Sequence, residues 1–112
     1  MLRRVHRTHS RYSREALKLL GHLIRAGRIE RKLGTDQLAA RAGISRSLLY
    51  RMERGDPSCS IGAVFEVAAI VGVALFEQDR ADLKARLTDY EARLALLPKS
   101  VRKRATKVKD DF

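Results

Sequence analysis

The stretch LAARAGISRSLLYRMERG, residues 38–55, constrains the chain more than any other. Apolar side chains recur at helical spacing on both sides of Gly43, over two short segments. Leu38, Ala39 and Ala42 mark the inward side of the first segment. Leu48, Leu49 and Met52 mark that of the second. Gly43 suits a tight left-handed turn between them, and Ile44 is apolar enough to plug that turn into a core. Ser45 has the side chain of a helix cap. The spacing predicts two short helices at a steep angle. Ser45, Arg46, Ser47, Tyr50 and Arg51 then lie on the outward side of the second.

The flanking sequence adds further helices. Ser13 can cap a first helix, with Glu15 near its positive end. Leu17, Leu20, Ile24 and then Arg28 or Ile29 share one side of it. Gly21 and Gly27 weaken such a helix by up to about 1 kcal/mol each unless close packing requires them. The helix should stop near Gly34, and Gly34 or Thr35 should cap the next. After the central pair, Gly55 ends a helix and GDPS forms a loop. A fourth helix spans about residues 61–71, with Ile61, Val64, Phe65, Ala68 and Ile70 as core candidates and Gly72 at its end. In the fifth, Leu83, Leu87, Tyr90, Leu94 and Leu97 follow a heptad seam that Pro98 terminates. No segment reads as a strand. The expected fold is all-α, with five helices: a flexible basic arm at residues 1–12, a helical domain at 13–76, an extended helix at 77–97 and a basic tail at 98–112.

Composition narrows the function. The chain has 112 residues, 45% of them hydrophobic, enough for one modest core. No apolar run approaches the ~20 residues of a membrane span. MLRRVHRTHSRYSR lacks the apolar stretch of a secretion signal, so a cytoplasmic location is expected. Cys59 is the only cysteine, which rules out an internal disulfide, and it reads as a small buried or half-buried residue. His6 and His9 lie in the basic arm and His22 in mid-helix. No catalytic cluster, metal-ligand set or cofactor motif is visible, and GISRS lacks the glycines and lysine of a phosphate loop. An enzyme is not expected, nor is a metal or cofactor.

The net charge of +11 is uneven. Residues 1–14 hold five arginines, and residues 98–109 hold six Lys and Arg, neither with an acid. Residues 15–98 hold 13 basic and 11 acidic side chains. Cationic ends of this kind bind polyanions or simply keep a protein soluble. Within the centre, residues 28–54 carry seven basic and three acidic groups, whereas residues 75–97 carry four and five.

A helix, a glycine turn and a second helix with a polar leading side form the physical design of a DNA reader. The first helix crosses the backbone, and the second enters the major groove. Arg46, Ser47, Tyr50 and Arg51 are the candidates for base contact, because an arginine can bond guanine through two donors and hydroxyls are short and adaptable. Ser45, Thr35 and Arg54 are the candidates for phosphate contact. The bland alternative is that Arg46 and Arg51 are merely solvated.

These residues also resemble a known family. LA in the second helix, GIS at the turn and MERG at the end of the third are similar to the Cro/repressor-type, xenobiotic-response-element helix-turn-helix regulators. The resemblance covers about residues 14–76 and implies a lambda-repressor-like fold. It implies that Arg28 in the first helix pairs with Glu53 near the end of the third, as a brace rather than a DNA contact. Members commonly carry a phosphate-gripping glutamine early in the second helix. Thr35 stands there in this chain, so that contact is weaker or differently made.

Readers of this design usually act as dimers on half-sites about 34 Å apart. Leu83, Leu87, Tyr90, Leu94 and Leu97 are the candidate dimer contact, the alternative being packing on their own domain. GDPSCSIGAVFEVAAIVGVALF and LALLPKSVRKRATKVKDDF further resemble the HipB-type antitoxins. That resemblance implies a homodimeric repressor of its own operon, acting on a palindromic operator, that also binds a HipA-type serine/threonine kinase toxin. Asp110, Asp111 and Phe112 would be a partner-binding tail, since an aromatic terminus can anchor in a pocket. The alternative is a stand-alone helix-turn-helix regulator with no toxin partner.

Overall fold

The computed structural model describes residues 8–101. Among them are five helices and no strand: α1 (Arg11–Glu30), α2 (Thr35–Ala42), α3 (Arg46–Glu53), α4 (Ile61–Val71) and α5 (Arg80–Leu96). The described residues divide into two compact units, one up to residue 75 and the other from residue 76 on.

In the first unit, α1 packs on α3 and α4, and α2 packs on the same two helices. The core lies where the four meet. Ile24 of α1, Leu38 of α2, Leu49 of α3 and Val67 and Val71 of α4 are fully buried. Leu20, Ala42, Ile44 and Leu48 are half-buried against them. Ile44 follows Gly43, which closes α2 at φ 70°, where a side chain would be strained.

α1 departs from the sequence expectation at both ends. It begins at Arg11, because Ser10 is the cap, its Oγ accepting from the Ser13 N–H at 3.1 Å. Ser13 therefore lies inside the helix rather than at its start. At the other end, Lys32 takes the left-handed conformation at φ 57°, and the Leu33 N–H reaches back to the Arg28 carbonyl at 3.1 Å. This wrap ends the helix at Glu30, ahead of Gly34. Gly34 is the N-cap of α2, with Thr35 its first helical residue. Gly34 has no side chain to contribute, and Gln37 Oε1 instead accepts from its N–H at 2.8 Å.

α4 has the expected bounds, and of its expected core residues Ala68 is buried and Val64 and Ile70 are half-buried against the core, but Ile61 and Phe65 are not. Val67, Ala68 and Val71 face the core, whereas Ile61 is 74% exposed and Phe65 is 40% exposed. Glu66 is the only charged residue in this helix, so its sequence marks no polar side. The packing of α1 and α2 decides which residues turn inward.

Two glycines of α1 make that packing possible. A Cβ on Gly21 would lie 2.5 Å from the Glu53 carbonyl oxygen, and one on Gly27 would lie 2.7 Å from the Val71 carbonyl oxygen. Bare backbone at these two points lets α1 sit directly against the ends of α3 and α4.

In the second unit, Asp79 caps α5 by accepting from the Ala81 N–H at 2.8 Å. Glu77 pairs with Arg86 at 2.8 Å. α5 buries none of its residues and stops just before Pro98. No helix among the described residues is long and apolar enough to cross a membrane.

Two alanine substitutions separate packing from helix propensity. Gly21→Ala should lower stability by about 1–3 kcal/mol, because the methyl group must displace the end of α3. Gly62→Ala, where a Cβ meets open space, should raise it by up to about 1 kcal/mol. Thermal unfolding of both should give melting shifts of opposite sign. A Gly21→Ala protein as stable as the parent would show that α1 and α3 can separate at no cost.

Candidate nucleic-acid interface

α3 is eight residues long, and its placement depends on its ends. At its start, Ser45 Oγ accepts from the Leu48 N–H at 3.0 Å. Leu49 and Met52 anchor its inner side in the core. At its end, Glu53 turns inward to Arg28. Arg28 Nε donates to Glu53 Oε2 at 2.7 Å, and Nη2 donates to Oε1 at 3.1 Å. The side chains of this two-bonded pair are only 12% and 7% exposed. Arg28 Nη1 also donates to the Leu33 carbonyl at 3.1 Å. One guanidinium thus ties α1, the α1–α2 loop and α3 together. The hydrogen bond to Glu53 raises the Arg28 pKa further above its already high value, so the arginine stays charged.

Turning Glu53 inward leaves the opposite side of α3 without an acid. That side carries Arg46, Ser47, Tyr50 and Arg51, with Arg54 as the C-cap of the helix. Arg46 Nη1 lies 3.2 Å from Asp36 Oδ1 at the start of α2, and both side chains are about three-quarters exposed. Arg51 Nη1 donates to Ser58 Oγ at 3.2 Å and lies 3.7 Å from Asp56 Oδ2. The Arg54 guanidinium lies 4.6 Å from the centre of the Tyr50 ring, a cation–π contact. Ser47 is exposed. The structure therefore brings the four candidate base readers and Arg54 to one helix surface, and each of the three arginines has a side-chain neighbour there.

The other phosphate candidates are differently placed. Ser45 uses an oxygen lone pair as the cap of α3, which leaves its O–H free to donate. Thr35 is half-buried, and the side chain that reaches back over the start of α2 is that of Gln37.

Sequence reading overlooked Asp36, Asp56 and Ser58. The last two were detectable, because Asp56 Oδ1 accepts from the Ser58 N–H at 2.8 Å. This is the local turn that Asp followed two residues later by a free N–H tends to make. The backbone N–H of Ser58 first, and its hydroxyl second, hold the Asp56 carboxyl below the usual carboxylate range. Cys59 beside it is half-buried, and burial followed by the Asp56 charge pushes its thiol up.

On α5, Leu83, Leu87, Tyr90 and Leu94 are exposed along the helix, and Leu97 is its C-cap. Phe76, Leu83, Arg86, Leu87 and Tyr90 line a shallow apolar groove. Asp110, Asp111 and Phe112 lie outside the described residues, as do residues 1–7 of the basic arm.

A family model described as a helix-turn-helix domain matches residues 19–83, more than half of the chain. No curated protein and no solved structure matches it significantly.

Removing one partner of the Arg28–Glu53 pair tests how α3 is held. Glu53→Ala strands a nearly buried guanidinium and should cost about 3–5 kcal/mol of unfolding free energy in a urea titration. A cost below about 1 kcal/mol would mean that the pair exchanges freely with water and does not fix α3.

Proposed function

Because the chain belongs to the helix-turn-helix domain family, the design of a DNA-binding regulator, we propose that it is a sequence-specific repressor whose α3 reads the major groove. The observation that carries this reading is the charge asymmetry of α3. Its single acid is turned inward to Arg28, and its outer side presents three guanidiniums with the hydroxyls of Ser47 and Tyr50. An α-helix fits the major groove, and arginine paired with guanine is the commonest specific contact there.

In this proposal Arg46, Ser47, Tyr50 and Arg51 contact bases. Ser45, Thr35 and Arg54 contact phosphates. The basic arm and tail add sequence-independent attraction that weakens as salt rises. The protein acts as a homodimer in the cytoplasm on a palindromic operator at its own promoter and has no catalytic role. The exposed seam of Leu83, Leu87, Tyr90, Leu94 and Leu97 supports pairing through α5, since its spacing suits helix-on-helix packing. The narrower part of the proposal is that the same repressor neutralises a HipA-type kinase, with residues 110–112 in the contact. It rests on the resemblance of residues 55–76 and 94–112 to HipB-type antitoxins. Without such a partner the chain is a stand-alone regulator. Co-expression with the product of the neighbouring gene, followed by purification, separates the two.

Arg46→Ala should weaken binding to duplexes that the parent selects from a randomised pool by about 1–3 kcal/mol and relax preference at one base pair. An unchanged ratio of selected to unselected binding would remove α3 from the reading role. Leu87→Asp combined with Leu94→Asp should give monomers by sedimentation and weaker binding to the selected duplex. A dimer that survives both changes would place the interface elsewhere.

A further inference from the structure

The three arginines on the outer side of α3 are not held alike. Arg46 meets Asp36 through a single contact in which both side chains are largely in solvent. A surface pair of that kind fixes little. Arg51 is held in a closed ring. Its Nη1 donates to Ser58 Oγ at 3.2 Å. That hydroxyl donates to Asp56 Oδ1 at 2.7 Å, and the Ser58 N–H donates to the same oxygen at 2.8 Å. Asp56 Oδ2 lies 3.7 Å from Arg51 Nη1, and the Asp56 N–H donates to the Arg51 carbonyl at 3.0 Å. The loop is therefore fastened to Arg51 at both backbone and side chain.

Only Nη1 of Arg51 is used in this ring, whereas a guanidinium offers five N–H donors and a guanine takes two of them. A long side chain loses rotamer freedom when it binds, and less is lost when a neighbour has already fixed it. The carboxylate has a second effect. A negative charge beside the DNA repels every phosphate, whatever the sequence. These two effects oppose each other in affinity and reinforce each other in discrimination.

We propose that Asp56 and Ser58 form a positioning clamp that presets Arg51 to read one guanine, so that the α3–α4 loop sets base preference without touching a base. This assignment rests on the proposed reading of DNA by α3. Ser58 orients both the acid and the arginine, and Asp56 aims the guanidinium while lowering affinity for non-cognate DNA.

The experiment compares the full-length parent with Arg51→Ala, Asp56→Asn and Ser58→Ala. Each is allowed to select duplexes from a randomised pool, and its affinity for one unselected duplex is measured. Arg51→Ala should lose preference at one base pair per half-site. Asp56→Asn and Ser58→Ala should lose preference at that same position by about tenfold and keep it at the others. Only Asp56→Asn, which also removes a negative charge, should bind the unselected duplex more tightly than the parent. A general loosening of the fold would lower preference at all positions together, and that outcome overturns the clamp. So does retention by both loop variants of the preference that Arg51→Ala loses, or an Arg51→Ala protein that loses none. A parent that selects no sequence at all overturns the reading by α3 itself, and the clamp with it.

Discussion

The Arg28–Glu53 pair is the interaction on which the rest of the structure depends. Helices of eight residues are marginal on their own, and α2 and α3 are both that short. Their order comes from tertiary contact. Leu49 and Met52 supply the apolar part of it for α3. Neither fixes the direction in which the end of the helix points. The double hydrogen bond from Arg28 does, and the bare backbone of Gly21 lets α1 come close enough to make it. A charged pair so nearly buried contributes little net stability over an apolar substitute, but losing one partner is costly. Its effect is geometric: together with buried Leu49 and Met52, it sets the rotation of α3 about its own axis.

That rotation determines the electrostatics. With Glu53 inward, every charged side chain left on the outside of α3 is an arginine. The remaining acids near this surface, Asp36 and Asp56, belong to flanking segments and meet the arginines one by one. Tyr50 beneath Arg54 adds a third contact of a different kind. A helix carrying free arginines would bind any polyanion. One in which an arginine is held in place can favour particular base edges over others.

Much of the domain was legible in the sequence for reasons that can be named. The short helices around Gly43 were readable because glycine and a capping serine mark their boundary and the apolar residues keep helical spacing. The brace between Arg28 and Glu53 was legible only through resemblance, because nothing in spacing alone joins residues 25 apart. The start of α1 was misread because Ser10 and Ser13 are both capping residues, and the choice depends on backbone geometry. Its end was misread because a lysine, not a glycine, takes the left-handed position. The buried side of α4 was legible only in part, at Ala68, Val64 and Ile70, because that helix is apolar nearly all round. Partners drawn from separate segments, such as Asp36 for Arg46, carry no local signal.

The most direct measurement is a titration of the protein against the duplex upstream of its own gene, in about 150 mM salt, with a scrambled duplex as competitor. If α3 reads base edges, preference for the upstream duplex should reach a factor of about 10³ or more. Equal binding to both duplexes would mean that the cationic ends of the chain dominate and that α3 reads nothing. That result would contradict the assignment of the outer side of α3 as a DNA-reading surface.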